Sequence, residues 1–210
     1  MKFSFSVILI LILFSCAQSQ QPFPAGDTKP LKGEATAYFA EGCFWHTEIV
    51  FQSLYGVRDA VSGYAGGHTT DPSYETVTGS NTGHAECVKV IYDPAKISFE
   101  SLVNAFFSSH DPTQVNRQGN DVGPQYRSIA FYSNDSERKI IMNAMNKFQQ
   151  DYKNKKIATE VQQIRKFYTA EPYHQEYIRN HPENSYVRNV SIPDYMHFRK
   201  SFKGRFKSGL

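Results

Sequence analysis

Apolar residues along the chain fall into runs whose spacing alternates between the periods of strands and of helices. Ala35 to Ala40 is a short apolar run that ends at Gly42-Cys43, and a helical pattern follows with Ile49, Val50 and Leu54 on one side and Gly56 at its stop. Val57 to Tyr64 reads as a strand, and Ala65-Gly66-Gly67-His68 as a turn. His84 to Tyr92 alternates as a strand until Asp93-Pro94 stops it. Ser98 is placed to cap a helix to about Ser108, burying Leu102, Val103, Phe106 and Phe107. Ser128 to Tyr132 predicts a short strand. From Asn134 or Asp135 a longer helix follows, with Ile141, Met145, Phe148 and Tyr152 on one face. Thr159 to Ile164 predicts a last strand, and Pro172 to Asn180 a short helical segment. Some strands follow one another directly and others are separated by helices. That pattern predicts an α+β fold, a two-layer α/β sandwich with a mixed sheet, over a doubly wound parallel one.

Two stretches stand outside this pattern. His110 to Tyr126 has no apolar period, and a loop so long inside a compact domain is commonly functional. At the N-terminus, Lys2 precedes the unbroken apolar run Val7 to Phe14, too short for a membrane span and suited to a signal-peptide core. Leu13-Phe14-Ser15-Cys16 resembles a bacterial lipobox, in which cleavage leaves an acylated cysteine. The expected organisation is a signal peptide over residues 1–15, a lipid-anchored Cys16 with a tether over 16–34, and one catalytic domain over 35–210. An ordinary secretory signal is the alternative. The expectation is an exported lipoprotein on the periplasmic side or surface of a bacterial envelope, attached to the membrane by its N-terminal lipid. After Asp194 the chain is basic, with Arg199, Lys200, Lys203, Arg205 and Lys207 interleaved among Phe198, Phe202 and Phe206. It is expected to wrap its own domain, with adhesion to anionic lipid as the alternative.

Composition narrows the classes. Of 210 residues, 40% are hydrophobic and 20% charged, which describes a globular chain, and a formal charge of +3 gives no footing for nucleic acid. Three cysteines are too few for a disulfide framework, so an exported chain of this kind points to chemistry at a thiol. No C-x-x-C or H-E-x-x-H spacing suggests a metal, and Gly63 to Gly67 is not a dinucleotide fingerprint.

Cys43 is the natural candidate for that chemistry. It stands where a strand passes into the first turn of a helix, and free N–H groups there favour a thiolate below the pH at which a free cysteine ionises. A small buried core cysteine is the bland alternative. In the strand at Glu86, alternation puts Glu86 with Val88 and Val90 on one face and Cys87 on the other. Desolvation of Glu86 would raise its pKa and make it a proton donor near neutrality; a salt-bridged glutamate is the alternative. A Cys–His hydrolase using His174 or His84, a thiol peroxidase, and a non-catalytic lipoprotein binding module all remain open at this level.

Several segments together resemble the A-type peptide methionine sulfoxide reductases (MsrA). Gly42-Cys43-Phe44-Trp45 matches that family's nucleophile signature, and Tyr74, Glu86, Asp121 and Tyr126 fall in segments that match its other site motifs. Glu171-Pro172-Tyr173-His174-Gln175-Glu176-Tyr177 matches a further block, associated with the family's fold. The resemblance spans roughly residues 35 to 187. It implies a ferredoxin-like core with long coil segments and no cofactor or metal. It also implies reduction of methionine S-sulfoxide, free or in proteins, with Cys43 as nucleophile and Glu86 as proton donor. Tyr74 and Tyr126 would hold the oxygen, Phe44 and Trp45 the S-methyl group, and Asp121 would order hydrogen bonds around the site. Unlike many members, this chain has no cysteine between Met196 and Leu210. Cys87 is not expected to resolve the oxidised Cys43, which leaves an external dithiol, a thioredoxin- or glutaredoxin-like partner, acting on a monomer.

Overall fold

The computed structural model describes residues 29–79 and 81–208. The expected lipid anchor at Cys16, with the whole signal peptide, lies outside the described residues. Strand β1 (Ala35–Glu41) leads through Gly42 and Cys43 into α1 (Phe44–Gln52), then β2 (Val57–Ala65), the short helix α2 (Tyr74–Gly79) and β3 (Ala85–Tyr92). Next come α3 (Phe99–Ser109), a small hairpin of β4 (Arg117–Gln118) and β5 (Asp121–Val122), and β6 (Ser128–Tyr132). The chain ends with α4 (Asp135–Gln149), β7 (Glu160–Gln163), β8 (Phe167–Thr169), α5 (Tyr177–Asn180) and α6 (Ile192–Ser201). Two caps match the sequence reading: the Ser98 hydroxyl accepts from the Ser101 N–H at 3.1 Å, and the Asn134 side chain from the Glu137 N–H at 3.0 Å.

The main sheet has the order β7-β6-β1-β3-β2-β8, and β6 pairs parallel with β7 while the other pairings are antiparallel. Its four central strands, β6-β1-β3-β2, with crossovers through α1 and α3, have the ferredoxin-like order. Alternation divides the sheet's side chains cleanly. Ala37, Phe39, Val88 and Val90 enter the main core with Phe51, Leu102, Phe106 and Ile141 from the helices. Ala40, Ala65, Ala85, Cys87, Ile129 and Phe131 form a smaller cluster on the other face. Cys87 is thus fully buried on the face away from Glu86, as the strand period predicts.

Of the segments that differ from expectation, two pair with β2. The stretch from Pro172 is not one helical piece: it breaks at Gln175-Glu176, where Glu176 adopts a left-handed φ of 53°. The break lets the Gln175 amide act as a strand partner. Its oxygen accepts from the Ser62 N–H at 3.0 Å, and its nitrogen donates to the Ser62 carbonyl at 3.0 Å and the Ala170 carbonyl at 3.1 Å. Gln175→Ala would leave these buried groups unpaired and is expected to lower stability by about 1–3 kcal/mol, read as a shift in the urea midpoint. The second difference is β8, a three-residue strand on β2 that the sequence pattern did not announce.

The basic tail does wrap its own domain. α6 buries Tyr195 and Phe198, Phe198 stacks on Phe202, and Phe206 meets both rings edge-on. The Tyr55 N–H donates to the Arg205 carbonyl at 2.9 Å and the Lys207 N–H to the Ser53 carbonyl at 2.8 Å, which fastens this end of the chain beside α1. Among the described residues no helix is long and apolar enough to cross a membrane.

Candidate active site

The β1-to-α1 turn sets Cys43. Gly42 takes φ +112°, a region that favours glycine, and a Cβ there would meet the Gln118 side chain at 2.7 Å. Cys43 occupies the N-cap position of α1 with extended backbone, and the residue as a whole is partly exposed. Directly beside it, β3 carries Glu86, 1% exposed, whose carboxyl accepts the first free amide of the helix, Phe44 N–H, at 3.0 Å. Strand and helix are therefore joined through the acid that faces the thiol.

Burial pushes the Glu86 pKa up to about 8 and the Asp121 carboxyl adds to the shift, against the single Phe44 N–H. At neutral pH Glu86 is a protonated carboxylic acid. Cys43 departs from expectation here. Burial, then Glu86 and Asp121, raise its thiol well above the ordinary value, and the Trp45 and His46 N–H groups that favour a thiolate do not offset them. The helix start supplies donors, but desolvation by the same pocket outweighs them. The resting pair is a thiol and a neutral acid.

One small cavity of about 140 Å³ collects the site residues named from the sequence: Cys43, Phe44, Trp45, Tyr74, Glu86, Asp121 and Tyr126 all line it. The volume suits a side-chain tip of a few heavy atoms. The Tyr74 and Tyr126 phenols both line it, and burial raises both, so both remain protonated donors. Glu171 holds Tyr74 in place by accepting from its N–H at 2.9 Å, and it also accepts from the Tyr64 hydroxyl at 2.9 Å. Phe44 is buried against Tyr64 and His174. Trp45 stacks flat on Tyr177, with ring centroids 3.6 Å apart and planes 5° apart, and donates from Nε1 to His174 Nδ1 at 3.2 Å. The stack on Tyr177 and the bond to His174 fix the orientation of the indole in the apolar wall.

The cavity has an eighth lining residue that the sequence did not single out. Tyr186 lies with Cys43 in the wall of this cavity and donates to Asp121 Oδ2 at 2.5 Å. It lies 65 positions from Asp121, outside every motif, and no local pattern marks it. Neither histidine weighed as a hydrolytic base lines this cavity. His174 is held by Trp45, and burial pushes its pKa down to about 4, while His84 accepts from the Gly67 N–H at 3.1 Å. Cys87 hydrogen-bonds only weakly, to the Val88 carbonyl at 3.8 Å, and burial raises its thiol well above the ordinary range. Both described cysteines are free.

Such a pocket supplies a sulfur nucleophile and a proton to one small polar ligand, and the class it defines is a cysteine enzyme working with an acid rather than a base. The chain belongs to the peptide methionine sulfoxide reductase family, whose model matches residues 35–206. It is 45% identical over 181 residues to a peptide methionine sulfoxide reductase MsrA 1 of Rhodopirellula baltica, covering 86% of this chain and 94% of that protein. Among solved structures it resembles reduced Mxr1 of Saccharomyces cerevisiae, with a TM-score of 0.70 and 36% identity over 74% of this chain and 91% of the other. The same yeast protein in complex with Trx2 matches with a TM-score of 0.51 and 29% identity, covering 71% and 88% of the two chains.

Proposed function

We propose that this chain reduces the S epimer of methionine sulfoxide, free or in proteins, to methionine by thiol chemistry at Cys43. The observation that carries the reading is the buried, protonated Glu86 carboxyl, joined to the first amide of α1 beside the Cys43 sulfur. Phe44 and Trp45 receive the S-methyl group, and the Tyr74 and Tyr126 hydroxyls donate to the sulfoxide oxygen. Cys43 attacks the sulfoxide sulfur as its thiol proton leaves, while Glu86 gives a proton to the oxygen, where negative charge would otherwise build up. Methionine departs, Cys43 holds the oxygen as a sulfenic acid, and Glu86 recovers a proton equivalent to the one lost by the thiol. The proton count of the pair is the same at the start and at the end.

A one-cysteine cycle completes the turnover, supported by the burial of Cys87 on the opposite face of β3. The reductant is an external thioredoxin- or glutaredoxin-like dithiol, for which the complex of the yeast relative with Trx2 is the support. The protein acts as a monomer without a cofactor. Separate incubations of the two sulfoxide epimers with dithiothreitol test the reading: the S epimer should be consumed and the R epimer left. Consumption of neither, or of the R epimer alone, contradicts it.

The lipobox at Leu13 to Cys16 supports export and anchoring in the bacterial envelope. Cys16→Ala should move the protein from the membrane to the soluble fraction on cell fractionation. Unchanged partitioning rules the lipid anchor out.

A further inference from the structure

Cys43 opens onto a second and larger space. A groove of about 720 Å³ reaches the same residue from the side of α6, and Asp121 and Tyr186 line both spaces. The hydrogen bond between those two side chains stands at the boundary. The groove runs between the ends of α3 and α4 and the length of α6 from Asp194 to Ser201, past Ser109 and Asp151.

Its chemistry differs from that of the small pocket. Among the described residues that line it, five are acidic (Glu41, Asp111, Asp121, Asp151 and Asp194) and none is lysine or arginine. Asp111 has Lys155 at 3.9 Å, and burial raises Glu41 well above the usual carboxylate range, so Asp121, Asp151 and Asp194 carry most of the negative field. The inner wall holds polar groups that nothing satisfies. Ser109 donates to one Glu41 oxygen at 2.8 Å, but the other has no partner; neither does the Ser191 hydroxyl. Both residues are 1% exposed. Each ring nitrogen of His46 is likewise buried without a well-formed hydrogen bond. Buried polar groups of this kind at the end of an open groove suit a polar ligand.

The direction of the second half-reaction points to what enters. If Cys43 becomes a sulfenic acid as proposed above, on which this inference rests, its oxygen stays where the sulfoxide oxygen was, beside Glu86, Tyr74 and Tyr126. A thiol displacing that oxygen approaches the sulfur in line, from the side opposite the breaking S–O bond. The small pocket holds the oxygen, and the groove is a second opening at Cys43.

We infer that the groove is the entry for the reducing thiol, and that it favours a thiol flanked by an ammonium group over one flanked by a carboxylate. In this step the incoming R–SH forms an S–S bond to Cys43 and the S–O bond breaks. The thiol's proton and the hydroxyl leave together as water. A second R–SH then releases Cys43–SH and R–S–S–R, so two thiols are oxidised for each sulfenic acid reduced.

The test separates the two half-reactions. The protein is first given methionine sulfoxide without thiol and the methionine released is counted. Decay of the sulfenic acid is then followed after adding cysteamine, 2-mercaptoethanol or 3-mercaptopropionate, each rate normalised to that thiol's rate with the neutral 2-hydroxyethyl disulfide. Cysteamine should exceed 3-mercaptopropionate by about three- to tenfold at low salt, with 2-mercaptoethanol between, and the ratio should shrink in about 0.5 M NaCl. Asp194→Asn, an exposed position, should lower the ratio. Equal normalised rates, a preference for 3-mercaptopropionate, or a ratio indifferent to salt and to Asp194→Asn would overturn the inference while leaving the methionine count intact. Absence of the methionine burst would overturn the sulfenic-acid reading itself, and this inference with it.

Discussion

Cys43→Ser is expected to lower methionine formation from the sulfoxide, with dithiothreitol as reductant, by at least about 10³-fold. A serine hydroxyl is far less nucleophilic than a thiol, and the small pocket is poorly placed to activate it: Glu86 is protonated, Asp121 is taken up by the Tyr186 hydroxyl, and neither His84 nor His174 lines the cavity. Far-ultraviolet circular dichroism should be unchanged, since Cys43 makes no side-chain cap to α1 and serine is accepted at an N-cap. Product from the serine variant at near wild-type rates would move the chemistry to another residue.

Glu86→Gln carries the second large effect. The amide keeps an oxygen that can accept from the Phe44 N–H, so the fold should survive, but it cannot give a proton to the leaving oxygen. A loss of about 10²–10⁴-fold in the methionine-forming step is expected. The wild-type pH profile has a definite sign. Glu86 acts in its protonated form with a pKa of about 8, so the first step should be level below that value. Above it the rate should fall about tenfold per unit as the acid is lost. In Glu86→Gln that descending limb should disappear, because the group that titrates has gone. A descending limb at the same pH in Glu86→Gln would assign it to a different acid.

Some of this was readable residue by residue and some was not. The alternation of Glu86, Val88 and Val90 against Cys87 placed the acid and the second thiol on opposite faces, because a strand's period leaves one choice once the core face is known. The helices with strong apolar periods, α3 and α4, were visible with their caps for the same local reason. By contrast, α6 buries only Tyr195 and Phe198, among exposed Asp194, Met196, His197 and Lys200, a pattern too sparse to separate from a wrapped coil. Strand β8 exists because β2 offers it an edge, and Tyr186 meets Asp121 only through the packing of the C-terminal segment. The raised thiol of Cys43 belongs to the same group. A helix start can be read locally, whereas the burial and the two carboxyls that oppose it come from β3 and the hairpin of β4 and β5. Motif resemblance picked out residues that the fold brings to one cavity, whereas the local reading of the helix start did not anticipate the raised thiol of Cys43.

The central claim is that Cys43 itself takes the sulfoxide oxygen. Incubating the protein with excess methionine S-sulfoxide and no reductant, trapping with dimedone and locating the adduct by peptide mass spectrometry tests it most directly. The predicted result is about one methionine per protein, with the dimedone adduct on Cys43 and none on Cys87. Methionine release without an adduct at Cys43, or an adduct confined to Cys87, would contradict it.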